Sequence, residues 1–316
     1  MKNFAFVFPG QGSQAVGMLD AWGEHPAVLE TLGEASEALD EDIAKLIREG
    51  PKDALALTTN TQPVMLVAGV AAWRAWRAEG GALPSVVAGH SLGEYAALVA
   101  SGVLTLTQAA PLVRFRAQAM QQAVPVGIGA MAAILGMQAD KVIALCAEVT
   151  EAFGAGSAEV VEAVNFNDPM QTVIAGSKAA VEKACEVIKG AGAKRALPLP
   201  VSAPFHSSLM KPAAEALRAR LADIQFAAPQ IPVLNNVDVA IESDPARIRD
   251  ALVRQAAGPV RWVESVLALK ARGVETVVEC GPGRVLAGMT KRIAPDMAAA
   301  AVYDPATLAD TRQALA

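Results

Sequence analysis

Three cysteines, Cys146, Cys185 and Cys280, are too few and too widely spaced for a disulfide framework, and no two of them form a zinc-type pair. They are expected to be buried thiols. Charge is also sparse: 19% of residues are Asp, Glu, Lys or Arg, and the net charge is −5. Lysine and arginine form no long run, so the basic stripe that nucleic-acid binding needs is missing and no nucleic-acid partner is expected. Nor is there a charge-free apolar stretch of ~18 residues, which excludes a membrane-crossing helix. The early apolar run Phe4 to Phe8 ends at Pro9-Gly10, too soon for a signal-peptide core, so a cytoplasmic address is expected. No repeat of ~20–50 residues points to a solenoid.

Apolar residues are abundant, at 53% of the chain, which excludes intrinsic disorder. At ~150 residues per domain, 316 residues allow one large domain or two modest ones with a sizeable core. Phe4 to Phe8 reads as a buried strand delivering the loop Gly10-Gln11-Gly12-Ser13-Gln14. Helical pattern covers 27–48. Thr61-Gln62-Pro63 reads as a cap with proline in the first turn of a long helix reaching Glu79, which Gly80-Gly81 breaks. Ser85 to Ala88 is a strand and Leu92 to Ala100 a helix, so Gly89-His90-Ser91-Leu92-Gly93 falls at a strand-to-helix turn. From 128 to 199 shorter elements follow in the order β-α-β-β-α-β, which predicts a ferredoxin-like unit inserted between 1–127 and 200–316. Helices at Pro212 to Ala222, Pro245 to Ala256 and Val260 to Ala271, strands at Glu275 to Glu279 and Ala299 to Tyr303, and a terminal helix complete the pattern. Strands alternating with helices imply an α/β fold with a mostly parallel, doubly wound sheet.

Gly89-His90-Ser91-Leu92-Gly93 matches G-x-S-x-G, in which flanking glycines let a nucleophilic serine occupy a strained turn, with the Leu92 N–H facing a developing oxyanion. A serine nucleophile needs a base, and there are three histidines. His25, beside Pro26, reads as an ordinary exposed residue. His90 adjoins Ser91 on a sharp turn and is expected to pack behind it or to bond to backbone. His206, in the polar loop Ser202 to Ser208, remains, either as the base or as a helix cap. Asp140 and Asp168 are the aspartates between Ser91 and His206 and neither has the setting of a triad acid, so a backbone carbonyl could orient the imidazole instead. Arg114 and Arg116 point in different directions from one helix; one of them could hold a carboxylate in a two-point fork, and spacing does not decide which.

Taken together, Pro9-Gly10-Gln11-Gly12-Ser13-Gln14, Thr61-Gln62-Pro63, Gly89-His90-Ser91-Leu92-Gly93-Glu94-Tyr95, Arg116, Asn165-Phe166-Asn167, Phe205-His206 and Gly281-Pro282-Gly283 resemble the malonyl-CoA:acyl carrier protein transacylases of the acyltransferase family over nearly the whole chain. The resemblance implies an α/β-hydrolase-like body with the ferredoxin-like insertion. It implies Ser91 as nucleophile, His206 as base, the Gln11 and Leu92 amides as oxyanion hole, Arg116 as binder of the malonyl carboxylate, and the Gln255 backbone carbonyl as orienter of His206. On that account Gln255→Ala should be milder than His206→Ala, because the contact is through backbone. Phe205 would crowd an α-methyl group, although Pro204 departs from the Ala-Phe-His form common in related synthase domains. The implied partners are malonyl-CoA and, transiently, an acidic acyl carrier protein, for which Lys183, Lys189, Lys194 and Arg195 form a candidate patch. No metal or other cofactor is implied. Competing readings are an acyltransferase serving a polyketide synthase, a serine thioesterase or esterase, and an idle docking protein; the glutamine-bearing loop and Arg116 are not expected of esterases.

Overall fold

The computed structural model describes residues 2–154, 156–201 and 203–316. In chain order its strands are β1 (Phe4–Phe8), β2 (Val86–Gly89), β3 (Gly129–Leu135), β4 (Val161–Asp168), β5 (Gln171–Ser177), β6 (Arg195–Pro198), β7 (Val233–Leu234), β8 (Ile241–Glu242), β9 (Thr276–Cys280) and β10 (Ala298–Val302). They form two sheets. The larger has the order β10-β9-β1-β2-β7-β8 and is parallel except for the β7–β8 pair.

β1 is central because every one of its residues is buried, as a parallel strand covered on both faces requires. Its alternation sorts the core into two layers. Phe4, Phe6 and Phe8 face the helix Thr58–Ala78, where the Phe6 ring meets Trp73 at 5.6 Å and Trp76 at 5.1 Å, both edge-on. Ala5 and Val7 face the opposite layer, with Trp262, Val266 and Leu269 of the helix Trp262–Ala271.

The smaller sheet has the order β4-β5-β3-β6 with every pair antiparallel. The helices Ala139–Ala152 and Lys178–Gly190 cover one face through a separate cluster around Ile134, Val142, Ile174 and Ile188. The smaller sheet is tied to the rest of the protein at Val260, just before the helix Trp262–Ala271: its N–H donates to the Val164 carbonyl at 2.8 Å and its carbonyl accepts the Phe166 N–H at 3.0 Å. An ion pair from Arg292 to buried Asp168, at 2.7 Å, adds a second tie.

Several local readings need correction. The long helix begins at Thr58, so Thr61 is not its cap and Pro63 lies inside it. The Thr61 hydroxyl instead donates to the carbonyl of Leu55, at 2.7 Å, and so ties off the preceding short helix Lys52–Ala56. The sequence pattern missed β7, β8 and the helix Val285–Ile293. Cys146 and Cys280 are buried, whereas Cys185 is half-buried.

Candidate active site

The turn after β2 is built by its glycines. A Cβ on Gly89 would fall 1.9 Å from the Gly93 carbonyl carbon, and one on Gly93 would fall 2.0 Å from the Phe8 carbonyl oxygen. That close packing turns the chain sharply into the helix Gly93–Ala100 and places Ser91 at φ +53°, a left-handed conformation that serine adopts only where its surroundings enforce it. Asn236, just beyond β7, supplies the enforcement. Its Oδ1 accepts the Ser91 N–H at 2.7 Å, and its Nδ2 donates to the Gly89 carbonyl at 2.6 Å.

Of the three histidines, His206 meets the serine. Its Nε2 lies 2.7 Å from Ser91 Oγ, while Nδ1 faces two carbonyl oxygens, those of Gln255 at 2.9 Å and Gly258 at 3.2 Å. Carbonyls only accept, so Nδ1 carries the proton and Nε2 is left to accept from the serine hydroxyl, the tautomer a general base needs. Burial, reinforced by the charge on Arg116, lowers the His206 pKa to about 3, so the ring is neutral at pH 7. Ser202, which opens the polar loop before His206, lies outside the described residues. Asp168 is held by Arg292 and Asp140 sits on the exposed face of the Ala139–Ala152 helix; neither approaches the imidazole.

Of the other two histidines, His90 packs beside the turn as expected, 5.5 Å from the Trp262 ring, and its Nε2 pairs with the Asn167 side chain at 2.9 Å. His25 is half-buried against Trp22 rather than freely exposed.

The structure separates the two arginines. Arg114 turns outward to Asn60 and Glu41. Arg116 is 2% exposed and turns inward: Nη1 donates to Gln62 Oε1 at 2.7 Å, and Nη2 donates to Ser91 Oγ at 3.1 Å and Gln255 Oε1 at 3.0 Å. Its guanidinium lies 5.4 Å from the centre of the Tyr95 ring. Among the described residues it forms no ion pair, and its Nε has no hydrogen-bond partner. A buried cation that touches no carboxylate is expensive to maintain, and a carboxylate entering beside Ser91 would relieve it.

Ser91, His206, Arg116, Gln11 and Phe205 all line one cleft of about 260 Å³, walled on its far side by Asn165 and Asn167 of β4. The amides of Gln11 and Leu92 donate to nothing among the described residues, as a site awaiting an oxyanion would require. No group of His, Cys, Asp and Glu among the described residues has the arrangement of a metal site.

Sequence reasoning did not assign Gln62, Asn236 or the side chain of Gln255. Each carries a signal in hindsight: Gln62 is a polar residue on the core face of an apolar helix, and Asn236 ends an apolar strand with a paired asparagine. Gln255 was expected to act through its carbonyl alone. Its side chain is buried too, bonded to Arg116, to the Ser91 carbonyl at 3.0 Å and to Glu94 at 2.9 Å. Gln255→Ala would therefore remove these bonds as well, while leaving the backbone carbonyl that His206 uses.

Comparison with known proteins fits this geometry. The family model described as acyl transferase domain matches residues 5–307. The chain belongs to the acyl transferase domain family. Within that family it is 53% identical over 309 residues to the malonyl CoA-acyl carrier protein transacylase of Salmonella typhimurium, covering 98% of each chain. It is also 64% identical to a solved acyl-carrier-protein S-malonyltransferase from Burkholderia pseudomallei, with a TM-score of 0.95 over 99% of this chain and all of that one. A third acyl transferase, solved as a malonyl-transacylase in complex with a type II PKS acyl-carrier protein, is 50% identical with a TM-score of 0.95, covering 99% of this chain and 100% of that one.

Proposed function

We propose that this acyltransferase moves malonyl from malonyl-CoA to the phosphopantetheine thiol of an acyl carrier protein, supplying extender units for fatty-acid synthesis. The observation that carries the reading is Arg116, a buried guanidinium that touches no carboxylate, 3.1 Å from the serine oxygen. It suits an acyl group that brings its own carboxylate. The relatives' names point to the same substrate and acceptor.

Ser91 Oγ attacks the thioester carbonyl as His206 Nε2 takes its proton. The oxyanion is met by the amides of Gln11 and Leu92. Collapse expels the CoA thiolate, which leaves with the proton from His206, and malonyl remains as an ester on Ser91. The carrier thiol then repeats the sequence in reverse: His206 takes its proton, the thiolate attacks the ester, and the proton returns to Ser91. Arg116 holds the malonyl carboxylate throughout, and Phe205 crowds the α-carbon. The chemistry calls on no cofactor beyond the thioester and the carrier's own prosthetic thiol. In this reading residues 1–127 and 200–316 form the α/β-hydrolase-like body, 128–199 the ferredoxin-like insertion, and the reaction takes place in the cytoplasm.

The test is intact mass after incubation with malonyl-CoA, with and without carrier protein. Malonyl should appear on the enzyme and pass to the carrier; release to water at the same rate with the carrier present would favour a thioesterase. Ser91→Ala should abolish the adduct and His206→Ala slow it by ~10²–10⁴. An adduct that survives Ser91→Ala would sink the reading. A polyketide carrier is the second acceptor to try, because one solved relative is described in complex with one.

A further inference from the structure

The side chain of Gln255 is fully buried, and its neighbours dictate which way its amide points. Its nitrogen lies 3.0 Å from the Ser91 carbonyl and 2.9 Å from Glu94 Oε2. Carbonyl and carboxylate oxygens accept, so the amide NH₂ must face them and its oxygen is turned toward Arg116 Nη2, 3.0 Å away. Glu94 is itself 2% exposed, and the same Oε2 accepts the Asn236 N–H at 3.0 Å, which fixes the carboxylate in place.

Glu94 therefore bears on Arg116 at one remove. A carboxylate touching the guanidinium would occupy the fork that a substrate carboxylate needs. A carboxylate absent altogether would leave one hydrogen of the Gln255 NH₂ without an acceptor and the amide held by the Ser91 carbonyl alone. We propose that Glu94 is a positioning residue for acyl-group selection: by holding the Gln255 amide with its oxygen toward Arg116, it sets the guanidinium across Ser91 Oγ without placing a charge of its own on it. This rests on Arg116 being the malonyl clamp.

The measurement is the rate of Ser91 acylation by malonyl-CoA and by acetyl-CoA, taken as a ratio. A variant that only loosens the fold slows both and leaves the ratio unchanged. Glu94→Ala should lower the malonyl preference about 10-fold, whereas Glu94→Gln, which keeps an acceptor oxygen at the same place, should recover it to within about threefold. Gln255→Leu keeps the backbone carbonyl that holds His206 and should lower the ratio like Glu94→Ala, with no further loss in the double variant because the two act through one contact. If Glu94→Ala does not fold, Gln255→Leu with Glu94→Gln decides the matter. An unchanged ratio in folded Glu94→Ala or Gln255→Leu overturns the inference, as does Glu94→Gln matching the full loss. Arg116→Ala separates the two levels. If it collapses the preference while Glu94→Ala and Gln255→Leu do not, only the role of Glu94 fails; if it leaves the preference intact, the clamp itself fails.

Discussion

At the scale of single residues, the proposed base is kept neutral by being hard to protonate. With its pKa lowered from 6.5 to about 3 by burial and by Arg116, His206 stays neutral well into acid. Acylation of Ser91 by malonyl-CoA should therefore show no inflection near 6.5 between about pH 5 and about pH 8. A sigmoid fall centred near 6.5 that persists in Glu94→Gln would show that the imidazole is more open to water than its burial implies. Glu94, raised to about 7 by burial, does titrate in that range, but a protonated carboxyl still offers an acceptor oxygen to Gln255. Asn236 makes a separate prediction. Asn236→Ala removes both bonds that hold the turn around Ser91, so acylation by every thioester should fall ~10–100-fold while the preference among them stays put. A changed preference with an unchanged rate would reverse its assignment. Phe205, 8% exposed in the same cleft, should behave oppositely: Phe205→Ser should raise methylmalonyl loading, and no gain would mean the ring only packs the loop.

At the scale of elements, what was legible depended on whether the cause was local in the chain. The strand, turn and helix around Ser91 could be read because glycines, a valine pair and an apolar helix are adjacent in sequence. The start of the Thr58–Ala78 helix could not, because the Thr61-Gln62-Pro63 triplet imitates a cap while Thr61 and Gln62 serve neighbours outside the helix. The helix Val285–Ile293 was hidden behind Gly281-Pro282-Gly283 for a related reason. It has no Ser, Thr, Asp or Asn at its start, and Glu279, the fourth residue of β9, accepts the Ala287 N–H at 2.9 Å in their place. That carboxyl is fully buried, and its pKa is raised from 4.5 to about 7 by burial. The folded state thus holds this proton more tightly than the unfolded chain does. The stability it contributes is complete below pH 4.5 and is lost as pH rises through about 7. Glu279→Gln cannot ionise, so at pH 8 it should be more stable than the parent by on the order of 3 kcal/mol, with the gap closing near pH 4. Urea midpoints at the two pH values decide it; equal midpoints at pH 8 would show that the carboxylate is accommodated.

At the scale of the whole molecule, a net charge of −5 gives no general attraction for the acidic carrier that the sequence resemblance implies, so docking of such a partner calls for a local cationic face. Of the four candidates, Lys183 is already paired with Glu186 at 3.2 Å. Lys189, Lys194 and Arg195 are exposed and form no ion pair among the described residues. Reversing Lys189 and Arg195 to Glu should raise the carrier concentration needed for transfer at low salt and leave malonyl loading of Ser91 unchanged. Transfer that is indifferent to the reversal would remove this face from consideration. Such a face could be named from sequence only as a cluster of charges, because its distance from the cleft is set by how the two sheets meet.

That meeting point has a mechanical meaning. Val260 anchors the smaller sheet two residues after Gly258, whose carbonyl, with that of Gln255, faces the imidazole of His206. The contact that seats the smaller sheet and the carbonyls that aim the imidazole therefore belong to one short stretch of chain. Asn165, which walls the cleft, is the residue bridged to Val260, so the wall and the imidazole take their spacing from the same piece of backbone. The gauge of the cleft is thus cut locally, beside the serine, and owes little to tolerances accumulated across the rest of the protein.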